Sequence, residues 1–346
     1  MSNCAYVEVM HPILLGFMSV FLAAAMPQSD TNSDASSGAR ESDISDADVS
    51  IPDTNNPAQA ALDKVMRDDD AAMDEIDAWI QQNNAFAAHG AGESKKELNE
   101  KIRARLQEVR QGYQDYLKEY PTNAAAYLAF GSFLNDIGDE EGASVQYEKS
   151  RQLDPKDPAA WNDLANYYGE NGPITNAFAY YAKAVELNPN ESVYYENWAT
   201  TVYLYRKDAK EFYGINEAQV FDKALALYQK AVQLDPNNFV LMTDYAESYY
   251  GIRPLRADDA LVAWTNALNI ATNDFEREGV YIHLARIKML AGRFSESQAE
   301  LNIVTNSAYG GLKYRLQRAL TQHEKDAETN GLQSPPSAPP QKTSSL

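Results

Sequence analysis

The chain has 346 residues, 50 acidic against 30 basic side chains and a formal charge of −20, long for one compact globule. Such acidity excludes a nucleic-acid partner, whose phosphates need a basic surface, and disfavours anionic membrane surfaces. The single Cys4 leaves no intrachain disulfide or cysteine metal cluster, and His11, His89, His283 and His323 are too scattered for a metal.

Residues 12–25, PILLGFMSVFLAAA, form an apolar run closed by Ala23 and Ala25, a small-residue pattern that suits signal-peptidase cleavage before Met26. The run falls short of the about 20 apolar residues that a membrane-crossing helix needs. Glu8 and the lack of Lys or Arg depart from the usual n-region, which a start at Met10 rather than Met1 would repair. Residues 1–25 are therefore expected to be a signal peptide, and the protein to be exported, periplasmic or extracellular. If the run is not a signal the protein is cytoplasmic, and an uncleaved N-terminal segment would be its sole membrane contact. Residues 26–56 are rich in Ser, Asp and Asn and have no aromatics, so they are read as a disordered acidic linker.

Asn56 and Pro57 suit the N-cap and first position of a helix. Leu62, Val65, Met66, Met73, Ile76, Trp79 and Ile80 recur at helical spacing to about Phe86, with Asp68, Asp69 and Asp70 expected on a solvated face. Ser94 and Glu97 make a capping box that opens a second helix, running to about Glu119, with Val109, Tyr113 and Tyr116 on one side. Together residues 57–122 are read as N-terminal helices and a leading half-repeat.

Beyond them the chain repeats. Pro121, Pro155 and Pro189 are spaced 34 residues apart, as are Ala143 and Ala177, and Tyr147 and Tyr181. Between Leu153 and Pro189, Trp161, Leu164, Ala165 and Tyr168 form one apolar helix face, and Ala177, Tyr181, Ala184 and Leu187 form another. Related patterns follow: Tyr195, Trp198, Ala199 and Val202; Ala224, Tyr228 and Ala231; Met242, Tyr245, Ala246 and Tyr249; Ala260, Trp264 and Ala267; and a degenerate set at Tyr281, Leu284, Ala285, Gly292, Ser297 and Leu301. Over about residues 105–305 the chain resembles the tetratricopeptide repeat family. The resemblance implies an all-α fold, a TPR-type α-solenoid of antiparallel helix pairs, flanked here by disordered N- and C-terminal tails. The repeats would occupy residues 123–156, 157–190, 191–237, 238–273 and 274–306. Leu312, Leu316 and Leu320 then mark a capping helix at 307–326, and the proline-rich residues 327–346 a disordered tail.

The third repeat departs from the period, because Pro189 to Pro236 spans 47 residues, 13 more than its neighbours. Its first helix is expected to continue through Tyr203, Tyr205 and Arg206, and Asn216 with Gln219 to cap a lengthened second helix. The result would be an extended hairpin with its tip near Lys207–Ile215. Arg206, Lys207, Lys210, Phe212 and Tyr213, joined by Arg253 and Arg256 of the next turn, are candidates for a protruding binding edge.

What the resemblance implies for function is protein–protein interaction, with the first helix of each pair lining a concave groove. Stepping off the core positions gives Asn135, Asn162, Asn166, Glu196, Thr200, Tyr203, Thr243, Glu247, Tyr250 and Arg286 as the candidate groove, beside Leu128, Ser132, Ile282 and Met289. Asparagine can hold a peptide backbone through paired donors and acceptors, and tyrosine adds apolar area with a polar tip. Glu196 and Glu247 point to a neutral or basic peptide or protein segment as partner. No phosphate loop, nucleophile motif or zinc spacing occurs, so a non-enzymatic adaptor without cofactor or metal is expected. The alternative is a structural, self-associating solenoid that oligomerises through its N-terminal helix.

Overall fold

A computed structural model of the protein describes residues 56–87 and 90–329. The expected signal peptide, the acidic linker up to residue 55 and the tail from residue 330 lie outside these residues, with Cys4, His11 and His89. Fourteen α-helices and two short 3-10 turns make up the described residues, which contain no strand. The fold is all-α, built from helical pairs as expected. The chain divides inside its fifth helix: one compact unit ends at Tyr167 and the other begins at Tyr168.

The first unit contains α1 (Pro57–Ala87), α2 (Lys95–Glu119), α3 (Ala124–Asp136), α4 (Glu140–Leu153) and the start of α5 (Pro158–Asn171). α2 opens on the Ser94–Glu97 capping box, both halves of which form. α1 lies along α2 and buries Leu62, Ala72 and Ile76. Of the expected apolar stripe, Leu62 and Ile76 are buried, Val65, Met73, Trp79 and Ile80 are half-buried, and Met66 is exposed. The aspartates of α1 are not simply a solvated face. Tyr113 donates a hydrogen bond to Asp69 Oδ2 at 2.8 Å, and Arg105 pairs with Asp68 at 2.8 Å and with Glu75 at 2.9 Å. α2 supplies the partners, which periodicity within α1 cannot reveal.

Two packing rules explain the repeat pattern of this unit. Gly131 of α3 meets the ring of Tyr147 of α4, so close that a β-carbon there would stand 2.5 Å from a ring carbon. The aromatic that opens each first helix also has a polar task. Tyr127 donates to the Pro121 carbonyl at 3.3 Å and Trp161 to that of Pro155 at 3.0 Å, and in the second unit Tyr195 donates to that of Pro189 at 3.2 Å. Each bond ties the proline turn to the helix that follows it, six residues on, and satisfies a carbonyl that the turn leaves without a helical partner.

The second unit holds the end of α5, α6 (Ile174–Leu187), α7 (Ser192–Leu204), α8 (Arg206–Tyr213), α9 (Glu217–Leu234), α10 (Phe239–Glu247), α11 (Ala257–Ile270), α12 (Asp274–Leu290), α13 (Phe294–Ile303) and α14 (Gly310–Thr329). Its continuous core runs through Phe178, Val202, Tyr228, Leu241 and Trp264 to Leu284. A smaller cluster, with Ile282, Met289, Leu301 and Leu320, joins α12, α13 and α14. Neither unit has a helix long and apolar enough to cross a membrane among the described residues.

The insertion takes a form other than the expected hairpin. α7 stops at Leu204, and α8 is a separate helix that ends at the left-handed Gly214, a backbone conformation that favours glycine. α8 packs against α6 and α9 because Ala209 is fully buried and the rings of Phe212 and Tyr213 lie 5.3 and 5.5 Å from Phe178. Asn216 and Gln219 do form a capping box on α9. Replacing Asn216 with Ala should destabilise the protein by about 1 kcal/mol, read as a lower urea midpoint at unchanged slope.

Candidate functional site

Three first helices of the second unit, α7, α10 and α12, carry one polar face. On α7, Glu196, Thr200 and Tyr203 follow helical spacing. Thr200 is hydrogen-bonded to the Tyr228 hydroxyl at 2.8 Å, and Tyr203 is buried against the backbone of Gly251. On α10 and the turn after it stand Thr243, Asp244, Glu247 and Tyr250. Thr243 gives its hydroxyl to the Val240 carbonyl at 2.7 Å, so it serves its own helix. The Tyr250 hydroxyl is hydrogen-bonded to His283 Nδ1 at 3.0 Å, and His283 Nε2 lies 3.9 Å from Glu247 Oε1. The imidazole stacks on Trp264 with centroids 4.1 Å apart, and the Arg286 guanidinium covers the Tyr250 ring at 4.5 Å.

The electrostatics of this face are unusual. Glu196 is 8% and Asp244 6% exposed, and neither carboxyl has a hydrogen bond or a cationic partner among the described residues. Burial, with Asp235 nearby, pushes Glu196 up to about 7. Burial also pushes Asp244 up to about 8, helped by the charges of Glu196 and Glu247. His283 goes the other way, held down to about 3 by burial and by Arg286, so it stays a neutral packing residue. No group of three His, Cys, Asp or Glu side chains among the described residues is arranged to hold a metal.

The sequence-derived groove is therefore divided. Asn135, Asn162 and Asn166 belong to the first unit, where Asn162 is buried and donates to Asp163 Oδ1 at 3.1 Å. Glu196, Thr200, Tyr203, Thr243, Glu247, Tyr250 and Arg286 belong to the second. Asp244 escaped the sequence reading because it follows Thr243 in an otherwise apolar run. Its spacing of three from Glu247 was the signal that put both on one face.

The basic edge does not form as a single protruding surface. The Tyr213 hydroxyl accepts from Trp198 Nε1 at 2.9 Å, and Arg206 lies over the Tyr203 and Phe221 rings. Arg253 donates to the carbonyls of Tyr250 and Ile252, and Arg256 pairs with Asp222 at 2.6 Å. Lys207 and Lys210 remain exposed. Tyr213 is held inward while Phe212, beside Phe178, stays exposed; Arg253 is satisfied by carbonyls next to it in the chain, and Arg206 and Arg256 reach Phe221 and Asp222 of α9.

Comparison with known proteins gives one family match, the tetratricopeptide repeat, over residues 158–191. No curated protein matches the chain. Among solved structures, it is similar to YrrB, "a TPR protein with an unusual peptide-binding site", at 16% identity and a TM-score of 0.45, covering 62% of this chain and 97% of that one. It is also similar to PilF of Pseudomonas aeruginosa at 14% identity and a TM-score of 0.44, over 75% and 99% of the two chains. For TTC0263, a thermophilic TPR protein of Thermus thermophilus, the values are 19%, 0.40, 57% and 100%.

Proposed function

We propose that this chain of helical pairs, which matches the tetratricopeptide repeat over residues 158–191, is a non-enzymatic adaptor whose α7–α10–α12 face binds a basic segment of a partner protein. The observation that carries the reading is the pair Glu196 and Asp244, nine-tenths buried and without a cation. Two carboxyls held out of water and near each other are unfavourable when ionised. A lysine or arginine side chain brought between the helices would relieve that penalty, and an extended peptide would place its apolar residues against Tyr203 and Tyr250. Arg286 at the edge of the face would then favour an acidic or carboxy-terminal group at one end of the segment, setting its direction.

The test is fluorescence anisotropy with a labelled lysine-containing peptide and its glutamate counterpart. The lysine peptide should bind, and bind more tightly as the pH rises from 6 to 8.5, because ionisation of the raised carboxyls creates the charge that holds it. Glu196→Gln or Asp244→Asn should each weaken binding about tenfold. Equal binding of the two peptides, or affinity indifferent to both substitutions, would rule the face out.

A further inference from the structure

A cavity of ≈ 350 Å³ opens between α12 and α14, at the end of the helical array and apart from the acidic pair. Its walls are apolar: Ile282 and Met289 on α12, Leu312 and Leu316 on α14, with the buried Tyr309 at the base of α14. Two guanidinium groups, Arg286 and Arg315, share the lining, and no acidic side chain does.

In a protein of charge −20 that combination needs a reason. Many of the arginines elsewhere find carboxylates: Arg105 pairs with Asp68, Arg110 with Asp139, Arg151 with Glu148, Arg256 with Asp222 and Arg293 with Glu296. Arg286 and Arg315 have no carboxylate partner among the described residues. Both are exposed at the rim, where their guanidinium groups can turn toward an anion. His283, which also lines the cavity, is neutral and repels nothing.

We infer that this cavity is a binding site for an aliphatic monocarboxylate, its chain against the leucines and its carboxylate between Arg286 and Arg315. The volume stands at the small end of the range for ligand sites, about 300–1,000 Å³. No Asn or Gln lines the cavity to read a peptide backbone, and the apolar walls give a phosphorylated or sugar ligand no further partners. A chain with one anionic end matches both the apolar walls and the two guanidinium groups. Arg286 borders both this cavity and the proposed peptide face, but Arg315, Leu312 and Leu316 take no part in that face, so substitutions there test the cavity alone.

The experiment is isothermal titration of the full chain with decanoate, decan-1-ol and decyltrimethylammonium as probes. Decanoate should bind one-to-one, the alcohol about tenfold or more weakly, and the cation not at all. Arg315→Gln should weaken decanoate about tenfold, and Leu316→Trp, which fills the cavity, should abolish it; lysine-peptide binding should survive both. Arg315 is exposed, so its variant keeps the test alive if Leu316→Trp misfolds, which thermal melting by circular dichroism would reveal. Alcohol binding equal to decanoate, affinity unmoved by Arg315→Gln, or no heat at millimolar decanoate would overturn the proposal. So would a peptide ending in a free leucine that binds more tightly than decanoate, since the cavity would then belong to a protein terminus.

Discussion

Replacing Asp244 by Asn should stabilise the protein at pH 8 by about 2 kcal/mol while weakening its grip on a basic peptide. The sign follows from proton binding. Asp244, at about 8, and Glu196, at about 7, hold protons in the folded chain at pH values where the unfolded chain has lost them. Their contribution is thus fully favourable below about pH 4 and is lost as the pH rises through 7 and 8. Asp163, pushed up to about 7 by burial, acts in the same direction in the first unit. His283, depressed to about 3, does the reverse: it favours the folded state increasingly up to pH 6.5 and is silent above it. Between pH 6.5 and 8.5, then, wild-type stability should fall, and the Asp244→Asn variant should fall less. Urea midpoints at the two pH values measure both slopes. An amide at position 244 still lacks a hydrogen-bond partner, which keeps the gain well below the full ionisation penalty. A variant less stable than wild type at pH 8.5 would mean that the carboxylate is solvated and the acidic face unstrained. Stability gained and binding lost together would mark a residue kept for function against stability.

Gly131→Ala should destabilise the protein by about 2–3 kcal/mol, although alanine is the better helix former by about 1 kcal/mol. The added carbon would stand 2.5 and 2.6 Å from ring carbons of Tyr147, a side chain only 5% exposed. A buried ring cannot swing away, so α3 and α4 would have to move apart and loosen a hairpin that also holds Phe130 and Leu134. Gly112 is the control. A β-carbon there meets only Val65, at 3.7 Å, so Gly112→Ala should raise stability by about 0.5–1 kcal/mol through helix propensity alone. Thermal melts of both variants decide the matter. A neutral Gly131→Ala would show that the hairpin has room and that the glycine is there for another reason. Combining Gly131→Ala with Tyr147→Leu should recover part of the loss, since leucine can repack where the rigid ring cannot.

Much of the architecture was legible from residues alone, because the features that set it are local. A helix pair declares itself through the spacing of Trp161, Leu164, Ala165 and Tyr168, and its recurrence through prolines 34 residues apart. Caps such as Ser94 with Glu97 and Asn216 with Gln219 act within one turn, so sequence and structure agree on them.

Tertiary structure decided whatever depends on a neighbour distant in the chain. Helical spacing placed Glu196 and Glu247 on an exposed groove, but burial by adjoining helices left Glu196 unpaired and set Asp244 beside it. The inserted residues read as a protruding basic hairpin, yet the gain from burying Ala209, and from packing Phe212 and Tyr213 on Phe178, folded α8 back. The same holds for the arginines: composition counts the charges, and only packing shows that Arg256 meets Asp222 while Arg286 and Arg315 meet an apolar cavity. Periodicity is a property of a segment and can be read there; desolvation and charge pairing are properties of a neighbourhood, which exists only once the chain has folded.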